Sequence, residues 1–161
     1  MNFLIVFTAQ YVFLISIGIF LAYAGYLWLN QRKTFISLLL LSIVSFPLSF
    51  VTAKVLAHFI YDPRPFVVSH VKPLFAHAAD NGFPSDHMLL TMAIASVVFV
   101  YNKKLGILLT VIAVCIGAAR VLANVHHIED IVGSAVIAIA ATFIATLLYL
   151  LLKSKIVAKQ K

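Results

Sequence analysis

Long apolar runs separated by short charged breaks constrain this chain more than any other feature of its sequence. Residues 10–29 contain no charged side chain and close on Tyr26, Trp28 and Asn30, with Arg32 and Lys33 just beyond. Residues 34–61 form a second run, interrupted by Pro47, Lys54 and His58. A polar, proline-containing connection covers 62–84. Three more runs follow at 85–101, 105–124 and 130–152, separated by Asn102-Lys103-Lys104 and by 125–129. A bilayer core takes about 20 apolar residues per helix, and unpaired backbone groups are not tolerated there. The pattern therefore predicts an all-α, polytopic membrane bundle of about five transmembrane helices, with 1–161 as one domain. Residues 2–8 are either an interfacial lead-in or an extension of the first span, and with no basic residue ahead of them they do not read as a cleaved signal peptide. A chain 63% hydrophobic and 11% charged is not a water-soluble globule, whose charged share is about a quarter. The single Cys115 cannot pair within the chain, and the net charge of +7 points to a membrane rather than to nucleic acid.

The basic residues orient the bundle. Five spans put the termini on opposite sides, so Arg32, Lys33, Lys103, Lys104, Lys153, Lys155, Lys159 and Lys161 share one side. These are eight of the twelve Lys and Arg, and by the positive-inside rule that side is expected to be cytoplasmic. The opposite side holds Lys72 and Arg64, with Lys54 and Arg120 just inside helix ends. All five acids (Asp62, Asp80, Asp86, Glu129, Asp130) and all six histidines (His58, His70, His77, His87, His126, His127) fall on that second side. Avoiding the hydrocarbon centre, where such groups cost about 2.5–3.5 kcal/mol, explains part of this clustering. It does not explain why the cytoplasmic ends have no acid or histidine. A single polar site at the outer end does, with 62–84 as its extracytoplasmic loop.

Three segments supply that site. In Asp62-Pro63-Arg64-Pro65 the flanking prolines restrict the backbone to extended conformations and hold a guanidinium at a helix exit; a simple helix-ending turn, with Arg64 reaching headgroups, is the alternative. Phe83-Pro84-Ser85-Asp86-His87 opens the third span. Ser85 as an N-cap explains it on ordinary grounds, and the same helix start, with its free N–H groups and a histidine, also suits an anion. In Arg120-x5-His126-x3-Asp130, the last two residues stack on one helical face. A carboxylate on one imidazole nitrogen fixes the tautomer and frees the other as nucleophile or base. His127 is expected to point elsewhere, at the surface, and Glu129 to be a solvated charge. Together Arg64, Arg120, His87, His126 and Asp130 supply two cations, a nucleophile with its orienter and an acid, the set phosphoryl transfer needs. Two histidines and an aspartate also suit zinc, but two arginines beside the site oppose a dication.

These residues resemble the type 2 phosphatidic-acid phosphatase superfamily, whose signatures are a Lys/Arg-Pro segment, a Pro-Ser-Gly-His segment and an Arg-x5-His-x3-Asp segment. The third is matched by Arg120, His126 and Asp130, the second by Pro84, Ser85 and His87, and the first by Arg64 and Pro65. The resemblance implies a metal-independent phosphatase without a cofactor, in which His126 attacks phosphorus, Asp130 orients it and His87 protonates the leaving oxygen. Arg64, Arg120, Pro84 and Ser85 would hold the phosphate. Two positions depart from the pattern. The family lysine falls at Ala57; Lys54, one turn deeper on nearly the same face, either takes over its part in holding the phosphate or leaves that role unfilled, and the family glycine is Asp86, which must point away or pair with an arginine.

Asp62-Pro63-Arg64-Pro65-Phe66 and the stretch 77–87 are similar to bacterial undecaprenyl-diphosphatases of the BcrC type. That likeness implies a long-chain isoprenoid diphosphate as substrate, converted to the monophosphate on the outer leaflet of the bacterial inner membrane. It also implies carrier recycling for cell-wall synthesis, bacitracin resistance, membrane lipid as the surroundings and no nucleic-acid partner. A phosphatidylglycerophosphate or phosphatidate phosphatase, and a non-catalytic phosphate-binding membrane protein, stand as alternatives, and the oligomeric state is open. The small residues at 117–119 and 133–135 read as close helix packing.

Overall fold

The computed structural model describes residues 2–158, with side chains to residue 153. Seven helices account for nearly all of it: α1 (Asn2–Tyr11), α2 (Phe13–Asn30), α3 (Arg32–Phe59), α4 (Pro65–Ser69), α5 (Asp86–Tyr101), α6 (Lys103–Leu122) and α7 (Ile128–Ala158). The described residues contain no strand beyond an isolated bridge between Pro63 and Asn81. Four helices, α2, α3, α6 and the 128–153 part of α7, are long and apolar enough to cross a membrane. The fifth expected span, α5, has 16 residues, about 24 Å at 1.5 Å per residue against a hydrocarbon core of about 30 Å. Its shortness goes with its position. α5 packs against α2, α3, α6 and α7, and Met88, Leu89, Met92, Ala93, Ile94, Ala95, Val97 and Val98 along it are buried. The helix is apolar on most of its surface because protein packs around most of it, with Leu90, Phe99 and Val100 left exposed.

The other helices are apolar outward, and Leu39, Ile43, Val51, Ile107, Val111, Val136, Phe143 and Leu147 are among many exposed aliphatic and aromatic side chains. Inside, association relies on small residues and hydroxyls, since lipid competes for apolar contact. Ser45 and Thr142 share a hydrogen bond of 2.7 Å between α3 and α7, worth about 0.6 kcal/mol for an average bond of this kind. Ser37 meets the hydroxyls of Tyr101 and Tyr149 at 3.0 and 3.1 Å, tying α3, α5 and α7 together. α3 continues through Pro47 as one helix. Residues 2–8 belong to α1, a separate helix that the turn at Val12 divides from α2 and that packs on α6.

Helix direction sorts the polar residues. The last turn of α3, the first turn of α5, the end of α6 and the start of α7 meet at one end. Arg32, Lys33, Lys103, Lys104 and Lys153 occupy the helix termini at the other. Lys159 and Lys161, like the side chain of Lys155, lie outside the described residues. The small residues at 117 and 133 pack as expected: a Cβ on Gly117 would collide with Ile131, and one on Gly133 with the Phe83 ring.

The tightest approach is between α5 and α6, where a Cβ on Gly106 would fall inside the backbone of Phe99. Gly106→Ala should therefore destabilise the protein by about 1–3 kcal/mol, read as a lowered unfolding midpoint in detergent. Gly18→Ala, which meets nothing within 4 Å, should leave the midpoint unchanged or slightly raised.

Candidate active site

The spacing of Arg120 and His126 is a consequence of how α6 ends. Asn124 adopts a left-handed conformation (φ 63°), which asparagine tolerates better than most residues. The N–H of Val125 donates to the Arg120 carbonyl (3.2 Å) and that of Asn124 to Val121 (2.9 Å), the two bonds of a Schellman motif. This reversal turns the chain back under its own last helical turn. His126 Nε2 lands 3.1 Å from Arg120 Nη2, and His126 Nδ1 lies 3.2 Å from Asp130 Oδ2 in the first turn of α7. Asp130 Oδ2 also accepts the backbone N–H of His127 at 2.9 Å. All three residues are almost fully buried.

Arg64 approaches from the other side. Its Nη1 donates to the Val125 carbonyl at 2.8 Å and lies 3.4 Å from His126 Nε2. Its Nε donates to Asp80 at 2.7 Å. The loop that carries Asp80 is fixed by Asn81, whose Nδ2 donates to the carbonyls of Ala57 and Ile60. Those carbonyls belong to the last turn of α3, which would otherwise lack acceptor partners. Asn81 Oδ1 accepts the N–H groups of Asp62 and Phe83. Arg120 is held by the Ala9 carbonyl at 3.0 Å, next to the α1–α2 turn, and by His77 Nε2 at 3.2 Å.

The start of α5 corrects the capping interpretation. Ser85 occupies the N-cap position, yet its side chain makes no capping bond. It is fully buried and Oγ has no partner. Its N–H instead donates to Ser134 Oγ (2.8 Å), and that hydroxyl donates to the Asp130 carbonyl. Arg120 Nε is likewise buried without an acceptor. Two donors withheld from protein partners, beside two guanidinium groups, make a site for an anion. Pro84, joined to Phe83 by a cis bond, leads into this turn. His87 stacks edge-on against Phe13 of α2, ring centroids 4.7 Å apart, and Arg120, His126 and His77 are the charged groups facing it. Asp86 is exposed and lines the groove between α3 and α5 with Phe46 and Phe50, near enough for its charge to act on Arg120. Lys54 is not gathered with the others: it is exposed, with Nζ 5.2 Å from the Phe50 ring centroid.

Three participants escape sequence reasoning. His77 and Asp80 each touch one of the two arginines, and the sequence hints at them only through the crowding of histidines and acids between 58 and 87 and the BcrC-like stretch 77–87, which assigns neither a role. His127 does not point away. Its Nδ1 lies 3.1 Å from Asp62 Oδ2, at the edge of the site.

The electrostatics follow from this packing. Burial, with Arg120 and Arg64, pushes His126 below the usual imidazole range although the Asp130 carboxylate works against the shift. Burial and the Asp130 charge raise the Asp62 carboxyl, against the pull of His127. Arg64 holds Asp80 below the usual carboxylate range despite its partial burial. Among the described residues, Asp62, His127 and Asp130 offer ligand atoms within 4.8 Å of one another and are the group that could hold a metal. A neutral His126 with its proton on Nδ1 presents the Nε2 lone pair between two guanidinium groups, an arrangement suited to in-line attack on a phosphate held by them.

The chain has recognisable relatives among known proteins. The chain is 38% identical over 84 residues to the undecaprenyl-diphosphatase BcrC of Bacillus subtilis, covering 52% of this chain and 44% of the relative. It is 34% identical over 124 residues to the putative undecaprenyl-diphosphatase YbjG of Escherichia coli, covering 74% and 60%. The chain thus spans about half the length of the curated relatives it matches. Among solved structures, Aquifex aeolicus LpxE superposes with a TM-score of 0.73 at 25% identity, over 91% of this chain and 87% of that one. A PAP2-type phosphatidylglycerolphosphate phosphatase from Bacillus subtilis superposes at 0.64 with 23% identity, over 90% and 74%. The sequence pattern of the PAP2 superfamily extends over residues 35–154, from the first turn of α3 well into α7, and the chain belongs to that superfamily.

Proposed function

We propose that this protein is a lipid phosphatase that removes the terminal phosphate of undecaprenyl diphosphate, or a polyprenyl diphosphate like it, through a phosphohistidine. The observation that carries the chemistry is His126 Nε2, within 3.1–3.4 Å of both guanidinium groups and backed by Asp130. In the first step the Nε2–P bond forms as the bond from phosphorus to the leaving oxygen breaks. Arg64, Arg120 and the Ser85 turn neutralise the phosphoryl oxygens, and His87 gives the leaving oxygen its proton. In the second step water, deprotonated by His87, attacks phosphorus and His126 is released. The diphosphate substrate rests on kinship with two proteins named as undecaprenyl-diphosphatases. The five described Lys and Arg at the helix ends opposite the site support a bacterial inner-membrane protein with its site on the periplasmic or outer face. There the 62–84 loop covers the headgroup, and the monophosphate re-enters carrier recycling for the cell wall. Bacitracin resistance would follow from depletion of the diphosphate.

A phosphate-release assay in detergent tests the reading. C55 diphosphate should be preferred over phosphatidate and phosphatidylglycerophosphate, and His126→Ala should lower turnover by at least ~10³-fold. Preference for a glycerolipid monophosphate would replace the substrate, and absence of release from every lipid would leave a phosphate-binding membrane protein. Excess chelator should not change the rate. Loss of activity in chelator would instead assign a metal to Asp62, His127 and Asp130.

The pH profile has a defined sign. His126 must be neutral to attack, so kcat/KM should fall on the acid side with a midpoint below 6.5, the ordinary imidazole value. Removing one cation eases protonation of His126, so Arg120→Gln should move the acid limb of its residual activity to higher pH. A limb that stays in place or moves lower would mean that another group controls it.

A further inference from the structure

The guanidinium of Arg120 stands between two imidazoles. Its Nη2 lies 3.1 Å from His126 Nε2 and 3.2 Å from His77 Nε2. A guanidinium only donates, so both ring nitrogens accept and both rings carry their proton on Nδ1. That proton faces Asp130 in His126 and the Ala78 carbonyl (3.3 Å) in His77. The two rings are nearly perpendicular, with centroids 6.3 Å apart.

His77 is placed there by a built loop. The N–H of Leu74 donates to the Ala123 carbonyl at 3.1 Å, and Asn124 Nδ2 donates to the Val71 carbonyl at 2.8 Å. Leu74 and Phe75 pack on buried Ala119, Ala123 and Val125. Three residues after His77, Asp80 binds Arg64. The loop therefore touches both phosphate-binding arginines, and its half-buried histidine lies outside all three signature segments.

A terminal phosphate at His126, between Arg64 and Arg120, puts the next phosphate of a diphosphate one bridging oxygen away. The loop side of the site is where His77 stands. We propose that His77 binds the second, lipid-linked phosphate of a diphosphate substrate and so selects P–O–P lipids over phosphate monoesters. This deepens the phosphatase reading and rests on it. On binding, Arg120 turns Nη2 to the anion, and His77 takes a proton from solvent and donates Nε2–H to a non-bridging oxygen of the second phosphate. In the transfer step the His126 Nε2–P bond forms and the bond from the terminal phosphorus to the bridging oxygen breaks. The electron pair goes to the bridging oxygen of the departing lipid monophosphate, which takes its proton from His87, while the His77 imidazolium stays on a non-bridging oxygen of that phosphate. The proton remains on His77 until the product leaves.

The charged and titratable groups facing His77 are Arg120 of α6, Arg64 ahead of α4, Asp80 of its own loop, His126 of the α6–α7 turn and His87 of α5. In the free protein, burial and the two arginines keep His77 below the usual imidazole range. A bound diphosphate brings the charge of a second phosphate to the ring and acts against that shift, whereas a monoester brings only the phosphate held at His126.

The test compares the full-length protein in detergent with His77→Ala and His77→Gln, the second retaining an N–H donor. The substrates are a polyprenyl diphosphate, the monophosphate of the same tail, and phosphatidate. The readout is the ratio of kcat/KM for diphosphate over monoester. That ratio should fall roughly 10- to 100-fold in His77→Ala, the loss of one hydrogen bond to a charged group, and less in His77→Gln. Inhibition by inorganic pyrophosphate should weaken relative to inhibition by phosphate. A ratio that stays constant, whatever the absolute loss, overturns the proposal and makes His77 a prop for Arg120. If His77→Ala does not fold, the same ratio in His77→Gln decides. A wild-type protein that turns over monoesters alone removes diphosphate selectivity. One that releases no phosphate from any lipid removes the phosphatase reading, and this inference with it.

Discussion

Two guanidinium groups buried around one imidazole nitrogen are the constraint on which the rest of the site depends. Like charges at this separation repel, and burial removes the water that would screen them. Arg64 has a carboxylate to answer it, since Asp80 hydrogen-bonds its Nε. Arg120 has none among its described hydrogen bonds: it holds a backbone carbonyl and two imidazoles, and its Nε is unpaired. Such a cation is costly in the free protein and is fully answered only when an anion arrives. Burial, with the same two charges, lowers His126 toward its neutral form, so the proposed nucleophile and the proposed phosphate-binding groups share one environment.

Holding that arrangement at the edge of an apolar bundle is a matter of helix ends. Termini are where an α-helix leaves backbone groups unpaired, and four of them meet here. The last carbonyls of α3 go to Asn81, the end of α6 closes in a Schellman turn, and the start of α5 is tied to α7 through Ser134. Each device satisfies backbone and also places a side chain: Asn81 sets the loop of Asp80, the Schellman turn delivers His126, and Ser134 ties down the Ser85 N–H beside the unpaired Ser85 Oγ. The short, fully packed α5 allows this, because its first turn lies among the surrounding helix ends.

How much of this is legible without coordinates depends on the range of the contact. Arg120, His126 and Asp130 are four to six residues apart, where helical and turn geometry alone bring groups together. The apolar runs likewise give α2, α3, α6 and α7 to within a few residues. Pairs separated by long stretches leave no such trace. His77 reaches Arg120 across 43 positions and Asp62 reaches His127 across 65, and both depend on the path of an irregular loop without periodicity. Ser85 fails differently: residue type and position both suit a cap, yet its Oγ makes no capping bond and its N–H goes to Ser134 of a distant helix. Lys54 shows the limit of face arguments. One turn of helix keeps it on nearly the same face as Ala57, but its long side chain extends over Phe50 on the exposed side.

The neighbouring carboxylates explain why His127 belongs to the site. The Asp62 and Asp130 carboxyl groups are neighbours, and their repulsion falls on Asp62, whose carboxyl is raised by burial and by Asp130. Were that repulsion unanswered, Asp130 would be a poorer partner for His126. His127 answers it at both ends, since its ring bonds Asp62 and its backbone N–H donates to Asp130 Oδ2. The residue next to the proposed nucleophile thus helps to hold the Asp130 carboxylate against His126. The adjacency of two histidines in the sequence reflects two different tasks on two neighbouring acids.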